Sequence, residues 1–334
     1  MRLPADLSRI DDRVHAWMPE FPGTWGMANC TLIASDNDAL LVDTPYTAGL
    51  TTALTRAAQR VLPDGVEIST VVNTHANGDH SYGNALFPRA EIVSTRANLT
   101  HLCSEPTPAE FHTMLAHADP ARPFDRYMLT HFGRYDFEGL ELTPPTSTFD
   151  NRLELRVGTL DVELIEVGPA HTAGDLIVHV PASGVVCAGD VLFVDDVPVH
   201  WAGPLAGVID ACQTILDLHP RVIVPGHGPL IGLQGVRNYI AYLIDVRDRI
   251  HALHQMGLPF EDASRELLRA DVRDLGLPER LAVLTATEYR HLDADDFPLD
   301  LVEVLTAAVR LAPEVVPVSV PPRQSMIAAL NRLL

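Results

Sequence analysis

The chain has 334 residues, enough for one large domain or two modest ones with an ample buried core. It carries 24 Lys and Arg against 44 Asp and Glu, and this formal net charge of −20 argues against a nucleic-acid partner and an anionic membrane surface. Hydrophobic residues make up 47% of the chain, but no window approaches an uncharged run of about 18 residues, so we expect a globular protein that does not span a membrane.

The N-terminal segment and the cysteines predict a cytoplasmic protein. Residues 1–7 contain no apolar core long enough for a signal peptide. The four cysteines are scattered and form no CxxC pair, which is typical of reduced, mostly buried thiols: Cys30, Cys103, Cys187 and Cys212. The sequence leaves a disulfide open but contains nothing that requires one.

The first part of the chain predicts strands and one helix. Apolar, β-branched runs predict strands at residues 14–18, 29–34, 39–43, 68–72 and 89–94. Residues 47–62 have helical spacing, with Leu50 and Leu54 on one side, and Pro63 follows the helix. We therefore expect three strands, a helix, a strand, a loop and a further strand in this order.

Ligand-type side chains are concentrated in the loop after the strand at residues 68–72. The loop contains two histidines, a carboxylate and an amide: His75, Asn77, Asp79 and His80. Imidazole nitrogen and carboxylate oxygen are the donors that a borderline divalent cation such as zinc prefers. The alternative is a polar loop that caps a helix through Asp79 or Ser81.

Residues 96–148 interrupt the strand pattern. They contain several prolines and four histidines: His101, His112, His117 and His131. None of these histidines has a second donor at ligand spacing, so surface or hydrogen-bonded positions are favoured over metal ligation. The segment predicts an insert without strands.

Strands return after Phe149. They are predicted at residues 153–157, 161–167, 176–180, 185–188 and 221–224, with a helix at residues 208–219. Three stretches each place one ligand-type residue between small residues, in a loop just beyond a strand: His171, Asp190 and His227. Loops at strand ends are where a rigid sheet holds a metal site.

Taken together, these residues resemble the pattern of the metallo-β-lactamase superfamily, which is His-x-His-x-Asp-His followed by a lone His, a lone Asp and a final His. The resemblance covers residues 13–230 and implies an α/β (α+β) fold, a four-layer αββα sandwich. It implies a metallo-β-lactamase-like domain at residues 1–232, in which the insert at residues 96–148 is a helical lid or shapes the substrate site. Asn77 stands where the family usually has its second His.

The resemblance also implies a metal site with two positions. One position would use His75, Asn77 and His171, the other Asp79, His80 and His227, with Asp190 bridging. Zinc is the expected ion, and two zinc ions about 3.5–4 Å apart would share a hydroxide that attacks the substrate. The carboxylate of Asp79 would also orient this hydroxide and accept a proton.

Asn77 leaves the metal content open, because a neutral amide oxygen is a poor zinc donor. Three outcomes remain: two ions with one weakly held, one ion at the second position, or a harder ion such as Mn or Fe.

The expected function is metal-dependent hydrolysis of an ester, thioester or lactone in a small-molecule substrate. The segments at residues 23–29, 77–80 and 200–204 also resemble superfamily hydrolases that include proposed polyketide thioesterase/cyclases. Trp25 and Trp201 either line a pocket for an apolar or aromatic substrate or belong to the core. Two further function classes stay open, an iron-dependent oxidoreductase of the same superfamily and a metal-poor binding protein.

Beyond Gly232 the sequence predicts a helical C-terminal extension, residues 233–334. Helices are expected at residues 236–253, 263–269, 279–289, 299–311 and 326–334, with a proline-rich linker at residues 312–322. The extension either packs on the preceding domain or mediates self-association into a homo-oligomer.

Overall fold

Two β-sheets packed face to face form the centre of the fold. The computed structural model describes residues 3–19, 23–270, 274–294 and 300–312. The strands of the first sheet lie in chain order: β1 (Ser8–Arg9), β2 (Val14–Trp17), β3 (Cys30–Ser35), β4 (Asp38–Val42), β5 (Thr70–Val72), β6 (Glu91–Thr95) and β7 (Ser147–Phe149). β1 to β4 pair antiparallel, whereas β4 to β7 pair parallel.

The second sheet is formed by the later strands. They are β8 (Arg152–Val157), β9 (Leu160–Glu166), β10 (Leu176–Val180), β11 (Val185–Phe193) and β12 (Val222–His227). Only β11 and β12 pair parallel in this sheet. In β9 the side chains alternate as predicted, because Val162 and Leu164 are buried in the layer between the sheets while Asp161 is exposed.

Helices cover the outer face of each sheet. They are α1 (Ala48–Gln59), α2 (Gly78–Ser81), α3 (Arg96–Leu102), α4 (Pro108–Ala116), α5 (Pro123–Phe132), α6 (Leu205–Asp217), α7 (Leu233–Gln255), α8 (Phe260–Ala270), α9 (Leu281–Leu292) and α10 (Leu301–Leu311). Leu50 and Leu54 of α1 pack on the first sheet, and Val208 and Ile215 of α6 pack on the second. The predicted αββα fold class is therefore confirmed.

The helical nature of the insert and of the C-terminal region also agrees with the sequence. Residues 96–148 form α3 to α5 and end in the first residues of β7. The C-terminal helices pack on the second sheet and on α6. The backbone N–H of Leu205 at the start of α6 donates to Glu288 of α9 at 2.8 Å, and Thr287 of α9 donates to the carbonyl of His200 at 2.9 Å. The elements predicted beyond residue 312 lie outside the described residues. No described helix is long and apolar enough to cross a membrane.

The predicted loop positions of Asp190 and His227 are wrong. β11 continues through Asp190 to Phe193, and His227 is the last residue of β12. β11 and β12 stay paired in parallel up to Phe193 and His227, with shifts in register. Gly226 allows this close pairing, since a Cβ atom at its position would lie 1.9 Å from Oδ1 of Asp190. In the sequence, the glycines of this region look like strand breaks, whereas in the fold they allow close approach.

Candidate metal centre

The turn after β5 and the short helix α2 hold the first group of ligand-type residues. Nδ2 of Asn73 donates to the carbonyl of His80 at 2.8 Å, and Nδ2 of Asn84 donates to Oδ1 of Asn73 at 2.8 Å. All three residues are buried, so these bonds fix the turn. Asp79 and Ser81 lie within α2, and Ser81 also precedes the 3₁₀ helix Tyr82–Leu86. No side chain caps the start of either helix, so the alternative role of these two residues as side-chain caps is wrong.

Backbone carbonyls orient two of the distant histidines. Nδ1 of His171 lies 2.5 Å from the carbonyl oxygen of Val199, and Nδ1 of His227 lies 3.2 Å from that of Met27. A ring nitrogen facing a carbonyl carries the proton, which leaves Nε2 with its lone pair free to bind a metal. The same carbonyls set the direction in which each Nε2 points.

Asp43 orients His80 from the end of β4. Its Oδ2 lies 2.8 Å from Nδ1 of His80, and its carboxylate also accepts from the backbone and hydroxyl of Thr74 at 2.7 Å each. Burial raises the pKa of Asp43, while His80 and Thr74 lower it in part. The sequence analysis missed Asp43, although a carboxylate directly after a buried strand is the signal that marked the other candidate residues.

Asp190 lies at the centre of the site. Its Oδ1 lies 3.1 Å from Nε2 of His80, and its Oδ2 lies 3.3 Å from Nε2 of His227. The same Oδ2 lies 3.5 Å from Nε2 of His171 and 3.8 Å from Nε2 of His75. One carboxylate therefore reaches four imidazoles that come from three distant parts of the chain.

The donor atoms form two groups that meet at Asp190. In each group the atoms lie within 4.8 Å of one another: His75, His171 and Asp190 in one, Asp79, His80 and His227 in the other. Asn77 adjoins the first group, since its Oδ1 lies 2.7 Å from Nε2 of His171. The seven residues singled out by the sequence thus lie together.

Hydrogen bonding and electrostatics in the site fit a bound cation. Nε2 of His75 is buried without a hydrogen-bond partner. Nε2 of His80 and Oδ1 of Asp190 are 3.1 Å apart but are not aligned for a hydrogen bond, and neither atom has another partner. Burial lowers the pKa of His75 well below its usual range, so this imidazole is neutral and its lone pair is available. For His80 burial also lowers the pKa, but Asp190 and Asp43 raise it well above its usual range. The carboxylates of Asp190 and Asp43 therefore favour a positive charge at Nε2 of His80, and a metal ion bound there would provide that charge.

The family model of the metallo-β-lactamase superfamily matches residues 23–227. The chain belongs to this superfamily. Among solved structures, it is similar to a metallo-β-lactamase from Pontibacter korlensis, with 17% identity, a TM-score of 0.54 and coverage of 72% of this chain and 99% of that chain. It is also similar to the sec-alkylsulfatase Pisa1 from Pseudomonas sp., with 16% identity, a TM-score of 0.61 and coverage of 88% of this chain and 52% of that chain. At these identities the likeness shows the fold. A search of curated proteins finds no match.

Trp25 and Trp201 lie at the edge of this metallo-β-lactamase-type centre. Both are half-buried, and their ring centroids are 6.3 Å apart. The backbone N–H of Trp201 donates to the carbonyl of His171 at 2.7 Å, and the indole of Trp25 donates to the hydroxyl of Tyr127 in the insert at 3.0 Å. Both side chains pack against the hydrophobic core of the second sheet, so the core alternative holds for the buried part of each residue.

The insert histidines lie in different environments. His101 pairs with Glu105 at 3.0 Å, and Nδ1 of His117 lies 2.8 Å from the carbonyl of Thr113. His131 is buried, and neither of its ring nitrogens has a hydrogen-bond partner. The prediction of a surface or hydrogen-bonded position is therefore wrong for His131, because packing in the fold encloses its ring.

Proposed function

We propose that this superfamily member is a metal-dependent hydrolase that cleaves an ester, thioester or lactone bond. The observation that carries the proposal is the position of Asp190, whose one carboxylate lies within 3.8 Å of four buried imidazole nitrogens. A shared carboxylate between two groups of nitrogen and oxygen donors suits a pair of divalent cations. Membership of a superfamily whose members are mostly hydrolases supports the same conclusion.

The donor set favours zinc. His75, Asn77 and His171 would hold one ion, and Asp79, His80 and His227 the other, with Asp190 between them. When bound, such ions polarise a carbonyl group and lower the pKa of water toward 7. The amide of Asn77 makes the first position the weaker one and leaves Mn or Fe as alternatives.

Asp79 is the residue we assign to proton transfer. Its side chain is 14% exposed, against 6% for Asp190, so it is the more accessible of the two carboxylates to water and substrate. An accessible carboxylate can accept the proton of the attacking water and return it to the leaving oxygen or sulfur. Asp43 holds His80 in place, and the half-buried Trp25 and Trp201 would provide an apolar surface for the acyl group.

Metal analysis combined with a substrate panel tests the proposal. We expect zinc in the purified protein and turnover of a 4-nitrophenyl ester, an aromatic acyl thioester or a lactone, with loss of turnover on chelation. Asp79→Ala should lower kcat/KM about 100- to 10,000-fold. Asp161→Ala, at a side chain 73% exposed on β9, is the matched control and should change nothing.

Other results would replace the proposal with a defined alternative. Iron without hydrolysis would favour an oxidoreductase, and neither metal nor turnover after growth with added zinc would favour a binding protein. We extend the panel with a β-lactam and a sec-alkyl sulfate, and cleavage confined to these two substrates would refute the ester, thioester or lactone assignment.

A further inference from the structure

Arg280 is a buried cation next to the metal centre that belongs to neither donor group. It ends the 3₁₀ helix Pro278–Arg280 in the C-terminal region and is only 2% exposed. Its NH1 donates to the carbonyl of Val197 at 3.2 Å, but its Nε is buried without a partner. No carboxylate of the described residues forms an ion pair with it. The buried Nε–H therefore lacks an acceptor, which is unfavourable unless a ligand supplies one.

Two aromatic rings lie next to this guanidinium and connect it to the candidate ligands. Its central carbon lies 4.0 Å from the ring centroid of Trp25 and 5.6 Å from that of Phe193. Phe193 in turn stacks on His227, with centroids 5.2 Å apart and an interplanar angle of 8°. One aromatic ring therefore separates Arg280 from the metal centre. The Nε–H of Arg280, which has no protein acceptor, is where a ligand would bind.

His131 is a second buried side chain without a hydrogen-bond partner, and it lies close enough to Arg280 to be affected by its charge. Its ring lies 4.3 Å from that of Tyr127, and the hydroxyl of Tyr127 donates to Glu279, the neighbour of Arg280, at 2.8 Å. Burial and the positive charges of Arg280 and Arg134 lower the pKa of His131 to about 4. His131 is thus neutral near pH 7, and one of its ring nitrogens can donate a hydrogen bond.

We propose that Arg280 and His131 form a binding site for a carboxylate group of the substrate, at a distance of one aromatic ring from the metal centre. The proposal rests on the proposed hydrolase function and narrows its substrates to esters or thioesters that carry a carboxylate away from the scissile bond. A guanidinium edge binds the two oxygens of a carboxylate in a bidentate manner.

The surrounding charges favour a monoanion. Asp196, Glu279 and Asp190 lie close enough for their negative charges to act on Arg280, so a dianion such as phosphate would be repelled more strongly than a carboxylate. A chain with a net charge of −20 also repels anions in general, so anionic substrates need a local cation such as this one.

Two esters that differ only in a distal carboxylate test the site: mono-4-nitrophenyl adipate and 4-nitrophenyl hexanoate. We expect the wild-type protein to prefer the adipate ester, and Arg280→Met to lower the adipate-to-hexanoate ratio of kcat/KM about 10- to 100-fold, mainly through KM. Arg249→Met is the matched control. Arg249 also lies in the C-terminal region, binds the carbonyl of Leu267 and lies near Asp245, so its loss should leave the ratio unchanged.

A binding measurement separates this site from the metals. Calorimetry with sodium hexanoate and hexanamide should show carboxylate-dependent binding to the metal-loaded protein that is lost in Arg280→Met but retained in Arg249→Met. Hexanoate binding that survives Arg280→Met would place the carboxylate on the metals and overturn the proposal. If Arg280→Met does not fold, His131→Phe tests the carboxylate site instead, because its ring keeps the contact with Tyr127. We expect this variant to lower the preference for the adipate ester several-fold, and an unchanged preference would contradict the proposal.

The two proposals fail in different ways. If the wild-type protein hydrolyses neither ester, the hydrolase proposal is wrong. The calorimetric measurement then still shows whether Arg280 and His131 bind a carboxylate. If the wild-type protein hydrolyses both esters equally well and Arg280→Met does not change the ratio of their kcat/KM values, the carboxylate-binding site is refuted and the hydrolase proposal is retained.

Discussion

At the scale of single residues, Asn77 is where this chain departs from its superfamily. If Nδ1 of His171 carries the proton that faces the carbonyl of Val199, then Nε2 of His171 and Oδ1 of Asn77 are both acceptors 2.7 Å apart. Two acceptors at that distance need a cation between them, or the amide is reversed and its nitrogen donates to the ring. Asn77 therefore acts either as a weak ligand or as a hydrogen-bond partner of His171.

Asn77→His should raise the metal content toward two ions per chain without disturbing the fold. Imidazole nitrogen binds a borderline cation more tightly than an amide oxygen does, and we expect the turn to accommodate the larger ring. Zinc titration followed by plasma mass spectrometry on wild-type and variant protein measures the effect, with circular dichroism as the check on folding. The idea of a weak first position would be wrong if the wild-type protein already held two equally tight ions.

His131 should make the stability of the protein depend on pH. The unfolded histidine binds a proton near pH 6.5, but folded His131, among Tyr127, Arg134 and Arg280, does so only near pH 4. The stability that its neutral form contributes is therefore complete above pH 6.5 and is lost as pH falls toward 4, by about 1.4 kcal/mol per pH unit. In urea unfolding, His131→Phe should flatten this slope between pH 6.5 and 4. Parallel curves for the two proteins would contradict the expectation.

At the scale of elements, the sequence predicts what depends on local pattern and misses what depends on contacts between distant segments. The order of strands and helices follows from periodicity, and the candidate ligands from small motifs. Asp43 acts on His80, which lies 37 residues away, and Tyr127 bonds Glu279 across 152 residues. Neither pairing leaves a local pattern, and Arg280 could not be recognised from the sequence for the same reason.

The close approach of β11 and β12 leads to a prediction at Gly226. The Cβ atom of Gly226→Ala would lie 1.9 Å from Oδ1 of Asp190 and 2.7 Å from the backbone of Gly189, so the carboxylate must move. We expect lower zinc affinity and at least a tenfold loss of ester hydrolysis. Gly232→Ala is the control, since nothing lies within 4 Å of its Cβ position. Unchanged zinc titration in Gly226→Ala would show that zinc binding does not depend on the position of Asp190.

At the scale of the whole molecule, the C-terminal helices and the second sheet share one hydrophobic core. This core joins Val186 and Ile223 of the sheet to Val236 of α7, Leu267 of α8 and Leu284 of α9. The C-terminal region also supplies Arg280 near the metal centre. Packing on the preceding domain, one of the two arrangements that the sequence left open, is thus observed for the described helices, and self-association stays a prediction.

Because the core is shared, the chain should unfold in one cooperative transition. Two probes report on different regions: the three tryptophans, Trp17, Trp25 and Trp201, all precede α7, whereas much of the far-UV helical signal comes from α7 to α10. We expect tryptophan fluorescence and far-UV ellipticity to change at the same urea concentration.

A core variant sharpens this test. Leu284 is fully buried in α9, so Leu284→Ala should cost about 2–5 kcal/mol of unfolding free energy and shift both curves together. Val302→Ala, at a residue 68% exposed in α10, should shift neither by more than about 0.5 kcal/mol. A shift confined to the ellipticity curve would mean that the C-terminal helices unfold on their own. In that case the metal centre could remain folded while Arg280 leaves it, and the carboxylate preference would then be lost at a lower urea concentration than zinc binding.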